Sequence, residues 1–252
     1  MNFENQVALV TGAASKRGIG REISRQLVKR GAKVIISDID ENMLNDAVED
    51  INQEKGSAHG LLLDVTNQDQ VNEKMKEIVN DHGKIDILIN NAGITRPTRV
   101  LDISKEEWDL IFNVNVNGTF YLTQAALPYM KENKYGRVVN LSSVSGKRGG
   151  GVFGGSHYSA AKAAVTGFTK AAAREMAEYG ITLNTVAPGF IATDITGGLL
   201  TPEKRAEIEN GIPAKRAGTA EDVAYTVAFL ASPGASYLTG EEVDINGGSH
   251  ID

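Results

Sequence analysis

Cysteine is absent from the 252 residues, so the chain has no disulfide framework, no thiolate metal site and no thiol nucleophile, and nothing in it supports an oxidising compartment. Histidine is scarce. His59, His82, His157 and His250 do not form a spaced ligand set, which argues against a catalytic metal. No apolar run approaches eighteen residues, so no segment is expected to span a bilayer. A large excess of one charge is missing as well. Lys and Arg number 26 against 32 Asp and Glu, the net charge is −6, and the signs are interleaved. That leaves no electrostatic footprint for nucleic acid or an anionic membrane. The polar start, Met1 to Gln6, lacks the charged and apolar regions of a secretory signal. A soluble, cytoplasmic protein is the expectation. What is there, 41% hydrophobic residues in a chain of this length, suffices for one well-buried core.

Short β-branched runs alternate with longer segments of helical period, the pattern of βα units on a parallel sheet. Strands are expected at Val7–Thr11, Val34–Ser37, Gly60–Leu63, Ile85–Ile89, Arg137–Leu141, Thr182–Val186 and, short, Glu242–Ile245. Helices are expected at Gly20–Lys29, Glu41–Glu54, Gln68–Asp81, Lys105–Lys131, Ser156–Tyr179 and Ala220–Ala231, with Gly31, Gly83, Gly136 and Gly180 as stops. No linker, repeat or low-complexity segment divides the chain. The expected architecture is therefore a single α/β domain over residues 1–252, a doubly wound parallel seven-stranded sheet with helices on both faces. In such sheets ligands gather beyond the carboxyl ends of the strands, where strand order reverses.

Three features sit at those ends. The first strand runs into a turn containing Gly12, Ser15, Arg17, Gly18, Ile19 and Gly20, followed by a helix. Glycines let the backbone turn tightly and approach a ligand, and the helix N-terminus behind them attracts a pyrophosphate. Asp38 ends the second strand, 26 residues after Gly12. There it can accept hydrogen bonds from an adenosine ribose and repel a 2′-phosphate, or else cap the helix near Glu41. Tyr158 and Lys162 are four residues apart in an alanine-rich helix, hence on one face. At about 5 Å and an effective dielectric of about 20, a lysine charge favours phenolate by roughly 3 kcal/mol, or about two pKa units. The expectation is a phenol made more acidic by its neighbour and usable as acid and base. Ser143, at the end of the fifth strand, can donate to a carbonyl or alkoxide oxygen beside it, or serve as a turn or cap serine.

Taken together, these features resemble the short-chain dehydrogenases/reductases from about Gln6 to Gly248. The Gly-rich turn, Leu63-Asp64-Val65, Asn90-Asn91-Ala92-Gly93, the asparagine in Asn113-Val114-Asn115-Val116, Ser142-Ser143-Val144, the Tyr158/Lys162 pair, and Pro188-Gly189 followed by Thr193 carry the resemblance in order and spacing. It implies a Rossmann fold and a catalytic tetrad at Asn115, Ser143, Tyr158 and Lys162. Asn115 is then the site of a local helix break whose backbone carbonyl holds a proton-relaying water, and Lys162 also holds the nicotinamide ribose. Cofactor contacts implied in the same way are Gly12, Ser15, Arg17, Gly18, Ile19 and Gly20 at the turn and Asp38 at the ribose. Asp64 and Val65 follow at the adenine, where Asp64 could instead cap the helix near Gln68. Asn91, Ala92 and Gly93 line the ribose side, and Pro188, Gly189, Ile191 and Thr193 the carboxamide end.

Five residues separate Gly12 from Gly18, two more than is usual in that family. Arg17 resembles the basic residue that some NADP-preferring members use, while Asp38 disfavours a 2′-phosphate; NAD is the expected cofactor and NADP the alternative. The stretch from Gly146 to His157 is also longer than usual and borders the substrate space. Lys147, Arg148 and His157 there, with Arg96, are either cation contacts for an acidic or polyhydroxylated substrate or solvated surface charges. A lid is expected over about residues 191–212, with Gly197, Gly198 and Pro202 bracketing Leu199 and Leu200. The family resemblance implies a homotetramer formed through the two long helices. The first functional reading is an NAD-dependent oxidoreductase acting on a small-molecule secondary alcohol or ketone such as a polyol, diol, sugar or hydroxy acid. The alternatives are an NADPH-dependent 3-oxoacyl thioester reductase and a non-catalytic nicotinamide-binding sensor or scaffold.

Overall fold

The computed structural model describes residues 1–53, 57–151, 153–194 and 201–251. In chain order its elements are β1 Val7–Thr11, α1 Ile19–Val28, β2 Lys33–Asp38, α2 Glu41–Asn52, β3 Ala58–Leu62, α3 Gln68–His82, β4 Ile87–Asn90 and α4 Lys105–Phe112. A π-helical turn at Asn113–Asn117 leads into α5 Gly118–Asn133. The rest are β5 Gly136–Leu141, α6 Val144–Arg148, α7 Ser156–Met176, β6 Ile181–Pro188, α8 Pro202–Gly211, α9 Ala220–Leu230 and β7 Glu242–Ile245.

The seven strands form one sheet in the order β3-β2-β1-β4-β5-β6-β7, every pair parallel. Val7–Thr11 is buried at every position, as befits a strand flanked by two neighbours and covered on both faces. Successive side chains alternate between those faces. Ala8 and Val10 join Ile36 and Ile89 in a core with Ile23 and Leu27 of α1, Leu44 and Ile51 of α2, and Val223 and Val227 of α9. Val7 and Leu9 join Ile35 and Leu88 in a second core with Met75 of α3, Leu122 and Met130 of α5, and Ala172 of α7. Each Val, Leu, Ile or Met among them, fully buried, contributes roughly 1.5–3 kcal/mol. The order reverses between β1 and β4, which opens a crevice at their carboxyl ends.

Most strands and helices start or stop within a few residues of the expected places. Larger differences have local causes. The segment expected as one helix over Lys105–Lys131 is broken at Asn113–Asn117. There Gly118 N donates to Asn113 O, five residues back, and the Asn115 side-chain amide donates to Ile111 O at 2.9 Å. A side chain able to bond the preceding turn competes with the regular ladder. Gly136 is not a helix stop: it opens β5, and the left-handed residue ending α5 is Lys134, at φ 52. The short α6, capped by Ser143 accepting from Ser145 N, has too few residues to show a period. Of the expected lid, Ile191–Asp194 and α8 are described. Gly197, Gly198, Leu199 and Leu200 lie outside the described residues.

Candidate active site

Side chains at the ends of β1, β2, β4, β5 and β6 line a cleft of about 650 Å³. One wall is built by two tied turns. Asn91 Nδ2 donates to Thr11 O and Gly12 O, both at 2.8 Å, and the amides of Asn91 and Ala92 donate to Thr11 Oγ1. Gly12 has φ 60, and a Cβ there would lie 2.6 Å from Ala92 Cα, so the two turns touch only because a side chain is missing. Ser15, Gly18 and Ile19 line the same wall. Gly20 does not reach the cleft; it packs α1 against Ala13 and Asn91. Arg17 is turned across it. Its Nε donates to Asp194 Oδ1 at 2.6 Å, and Arg17 N and Ser15 Oγ donate to Asp194 Oδ2 at 3.0 and 3.1 Å. The longer turn thus bridges to the segment after β6.

The rival cap roles belong to other residues. Asp40 caps α2 by accepting from Met43 N, which leaves Asp38 to line the cleft and accept from Ala14 N at 3.1 Å. Asn67 caps α3, while Asp64 accepts from Thr66 N and Thr66 Oγ1 beside Val65 in the cleft. Ala92, Gly93, Pro188, Gly189, Ile191 and Thr193 complete the far wall. A groove of this volume, with the Asp38 and Asp64 carboxylates at one end and the backbone of Gly12 and Gly18 along its middle, fits an extended dinucleotide.

At the other end stand Ser143, Tyr158 and Lys162. Lys162 Nζ donates to Leu141 O at 2.7 Å and lies 5.6 Å from the centre of the Tyr158 ring. Asn115 lies behind them, fully buried and outside the cleft lining. Its Nδ2 donates to Ile94 O and Ile111 O. Its backbone carbonyl accepts from Thr119 Oγ1 at 2.9 Å, while Asn115 Oδ1 is a buried acceptor without a protein donor. A Cβ on Gly93 would meet Asn115 Oδ1 at 2.7 Å and Lys162 Nζ at 3.3 Å, so the Gly93 backbone is wedged between the two.

The acidities differ from the expected ones. Burial pushes the Tyr158 phenol up to about 12, a rise that the hydrogen bond from Ser143 only partly opposes. Burial likewise brings Lys162 down to about 8. Withdrawal from water outweighs the lysine's charge here because that ammonium is itself desolvated and committed to a carbonyl. At neutral pH the pair is phenol and ammonium, so the tyrosine of this state is a proton donor.

Of the basic residues around the substrate side, His157 is fully buried, with Nε2 2.9 Å from Glu107 Oε1. A hydrogen bond from Thr98, and after it one from His157, holds that carboxyl below the usual range. Lys147 donates to Asp244. Arg148 lines the cleft together with Ile94, Val144, Phe153, Phe190 and Ile208. Phe153 and Phe190 stack with centres 6.2 Å apart. Sequence reasoning missed these two rings and Asp194, which loops far apart in the chain bring to the site.

No helix is long and apolar enough to cross a membrane, and no cluster of His, Asp or Glu could hold a metal, among the described residues. A sequence profile described as "Enoyl-(Acyl carrier protein) reductase" matches residues 12–250. An uncharacterized short-chain type dehydrogenase/reductase, y4mP, of Sinorhizobium fredii is 46% identical over 252 residues, covering all of both chains. The 3-oxoacyl-[acyl-carrier-protein] reductases FabG of Escherichia coli and of Vibrio cholerae are each 44% identical over 251 residues, again over the full length of both. With this geometry and full-length similarity, the chain belongs to the short-chain dehydrogenase/reductase family, as an oxidoreductase of carbonyl and alcohol groups that binds a nicotinamide cofactor.

Proposed function

We propose that the protein reduces the 3-oxo group of an acyl thioester to a hydroxyl, with NADH as coenzyme. The wall beside Tyr158 and Ser143 carries this reading. It is made of Ile94, Val144, Phe153, Phe190 and Ile208, and its Thr95 hydroxyl is already donated to Phe153 O at 2.6 Å. A polyol brings several hydroxyls that each need a partner, and apart from the Arg148 guanidinium this wall has few to give. An acyl chain needs only apolar surface. Relatives named 3-oxoacyl-[acyl-carrier-protein] reductases point the same way, so the thioester reading moves ahead of the polyol reading favoured by sequence alone.

Tyr158, protonated at neutral pH, gives its proton to the carbonyl oxygen while the Ser143 hydroxyl donates to that same oxygen and stabilises its developing charge. A nicotinamide held in the cleft would supply the hydride that the carbonyl carbon takes up. Lys162 keeps positive potential beside the phenol and holds the nicotinamide ribose, and Asn115 supports the proton path behind it. Gly12, Ser15, Gly18 and Ile19 cradle the pyrophosphate on the N-terminal side of α1, with Gly20 allowing close packing. Asp64 and Val65 flank the adenine, Asn91, Ala92 and Gly93 the ribose side, and Pro188, Gly189, Ile191 and Thr193 the carboxamide. Asp38 faces the adenosine ribose as a carboxylate, unfavourable to a 2′-phosphate near −2 charge. Arg17, the cation that could offset it, is held by Asp194.

The test is reduction of acetoacetyl-CoA, followed at the nicotinamide absorbance with NADH and with NADPH, beside oxidation of polyols and diols with NAD. The expected result is thioester reduction with the higher kcat/KM for NADH. Faster turnover of a polyol overturns the substrate, and a preference for NADPH overturns the coenzyme.

A further inference from the structure

Four basic residues near the substrate side were open on sequence: Arg96, Lys147, Arg148 and His157. Three of them have other engagements. Lys147 Nζ donates to Asp244 Oδ2 at 2.8 Å, with the lysine side chain only 12% exposed, and so faces β7. His157 is sealed against Glu107. Arg96 donates to the carbonyl of its neighbour Thr95 and does not line the cleft.

Arg148 is different. It lines the cleft and is exposed, its guanidinium donates to Ser249 O at a long 3.3 Å, and among the described residues no carboxylate pairs with it. A guanidinium has five donors in a planar fork, so most of its capacity remains after the Ser249 contact. The acidic side chains lining the cleft do not offset it: Asp38 and Asp64 stand on the adenosine side, and Asp194 is held by Arg17. The position carries distance information too. Arg148 ends α6, whose N-cap is Ser143, so it stands roughly 8 Å of helix rise away from the serine that faces the carbonyl. A charge it receives is therefore several bonds removed from the reacting carbon.

We propose that Arg148 receives a distal oxyanion of the substrate, a phosphate on the thioester arm or a carboxylate at the far end of the acyl chain, and so selects charged over neutral 3-oxo substrates. This rests on the reductase reading above.

Three probes separate the sources: acetoacetyl-CoA, which carries phosphates; acetoacetyl-N-acetylcysteamine, which carries no charge; and 3-oxoadipyl-N-acetylcysteamine, which carries a distal carboxylate. With Arg148→Ala, KM rises about three- to fivefold, the upper range of an exposed ion pair, for the CoA probe if the anion is the phosphate and for the 3-oxoadipyl probe if it is the carboxylate. The KM of the neutral probe and all kcat values stay within about twofold. Arg148→Lys recovers most of the loss, and added salt raises the wild-type KM of the affected probe. Unchanged KM values for both charged probes, or an equal rise for the neutral one, overturn the inference alone. Failure of the wild type to reduce any of the three overturns the reductase reading and this inference with it.

Discussion

The Arg17 guanidinium and the Asp194 carboxylate meet at 2.6 Å across the mouth of the cofactor cleft, joining residues 177 positions apart. The same carboxylate takes Arg17 N and Ser15 Oγ, so one acidic side chain occupies three donors of the Gly-rich turn. An exposed pair of this kind is worth at most about 1 kcal/mol. Asp194→Asn frees the arginine while removing a negative charge, and the ratio of kcat/KM for NADPH to that for NADH is expected to rise up to about fivefold. If the ratio stays put, Arg17 has no part in coenzyme choice.

Removing the phenol oxygen should remove the chemistry and leave the binding. Tyr158→Phe is expected to lower kcat by about a hundredfold or more, the usual contribution of a positioned acid, with NADH affinity by fluorescence titration kept within about twofold. Reduction at the wild-type rate would exclude Tyr158 as the acid.

The depressed Lys162 acidity has a sign that can be checked. Folded, the lysine loses its proton near 8, against 10.5 for an unperturbed lysine. Across that window the unfolded chain binds more protons, so this residue makes the protein more stable as pH rises from about 8 to 10.5, by at most roughly 1.4 kcal/mol per pH unit. Urea midpoints of wild type and Lys162→Met between pH 7.5 and 10 should diverge in favour of the wild type at the alkaline end. Parallel curves would mean the buried ammonium is not penalised.

Gly93→Ala puts a methyl 2.7 Å from Asn115 Oδ1 and 3.3 Å from Lys162 Nζ. Overpacking of this sort typically costs about 1–3 kcal/mol, and displacing both groups should lower kcat at least about tenfold. Thermal unfolding and steady-state rates measured together are the check, and a variant with wild-type kcat would show that Asn115 and Lys162 tolerate movement.

Much of the fold was legible because short β-branched runs alternate with longer segments of helical period: the apolar run Val7–Thr11 reappears as a strand that feeds two cores on two faces of one sheet. Tyr158 and Lys162 could be brought together from sequence because both lie on one helix. The pairing of Arg17 with Asp194 could not, since no local rule links a turn after the first strand to a segment after the sixth. The break at Asn115 was implied by the family resemblance and borne out by the π-helical turn, but the helical period of Lys105–Lys131 hid it, because its cause, the Asn115 amide reaching Ile111 O and Ile94 O, depends partly on a loop brought close only by folding. Capping rivals for Asp38 and Asp64 were resolved by Asp40 and Asn67, neighbours equally able to cap. The direction of the phenol shift was misread because charge was weighed and burial was not.

The contact between His157 and Glu107 reaches beyond stability. It fastens His157, buried in the first turn of α7 one residue before the phenol, to α4, whose Trp108 and Leu110 are open to the outside. Gly155 N adds a second rivet at Arg96 O, 2.7 Å away. The placing of the proton donor is thus fixed in part from outside the cleft, through one side-chain contact to α4 and one backbone bond to the loop before it.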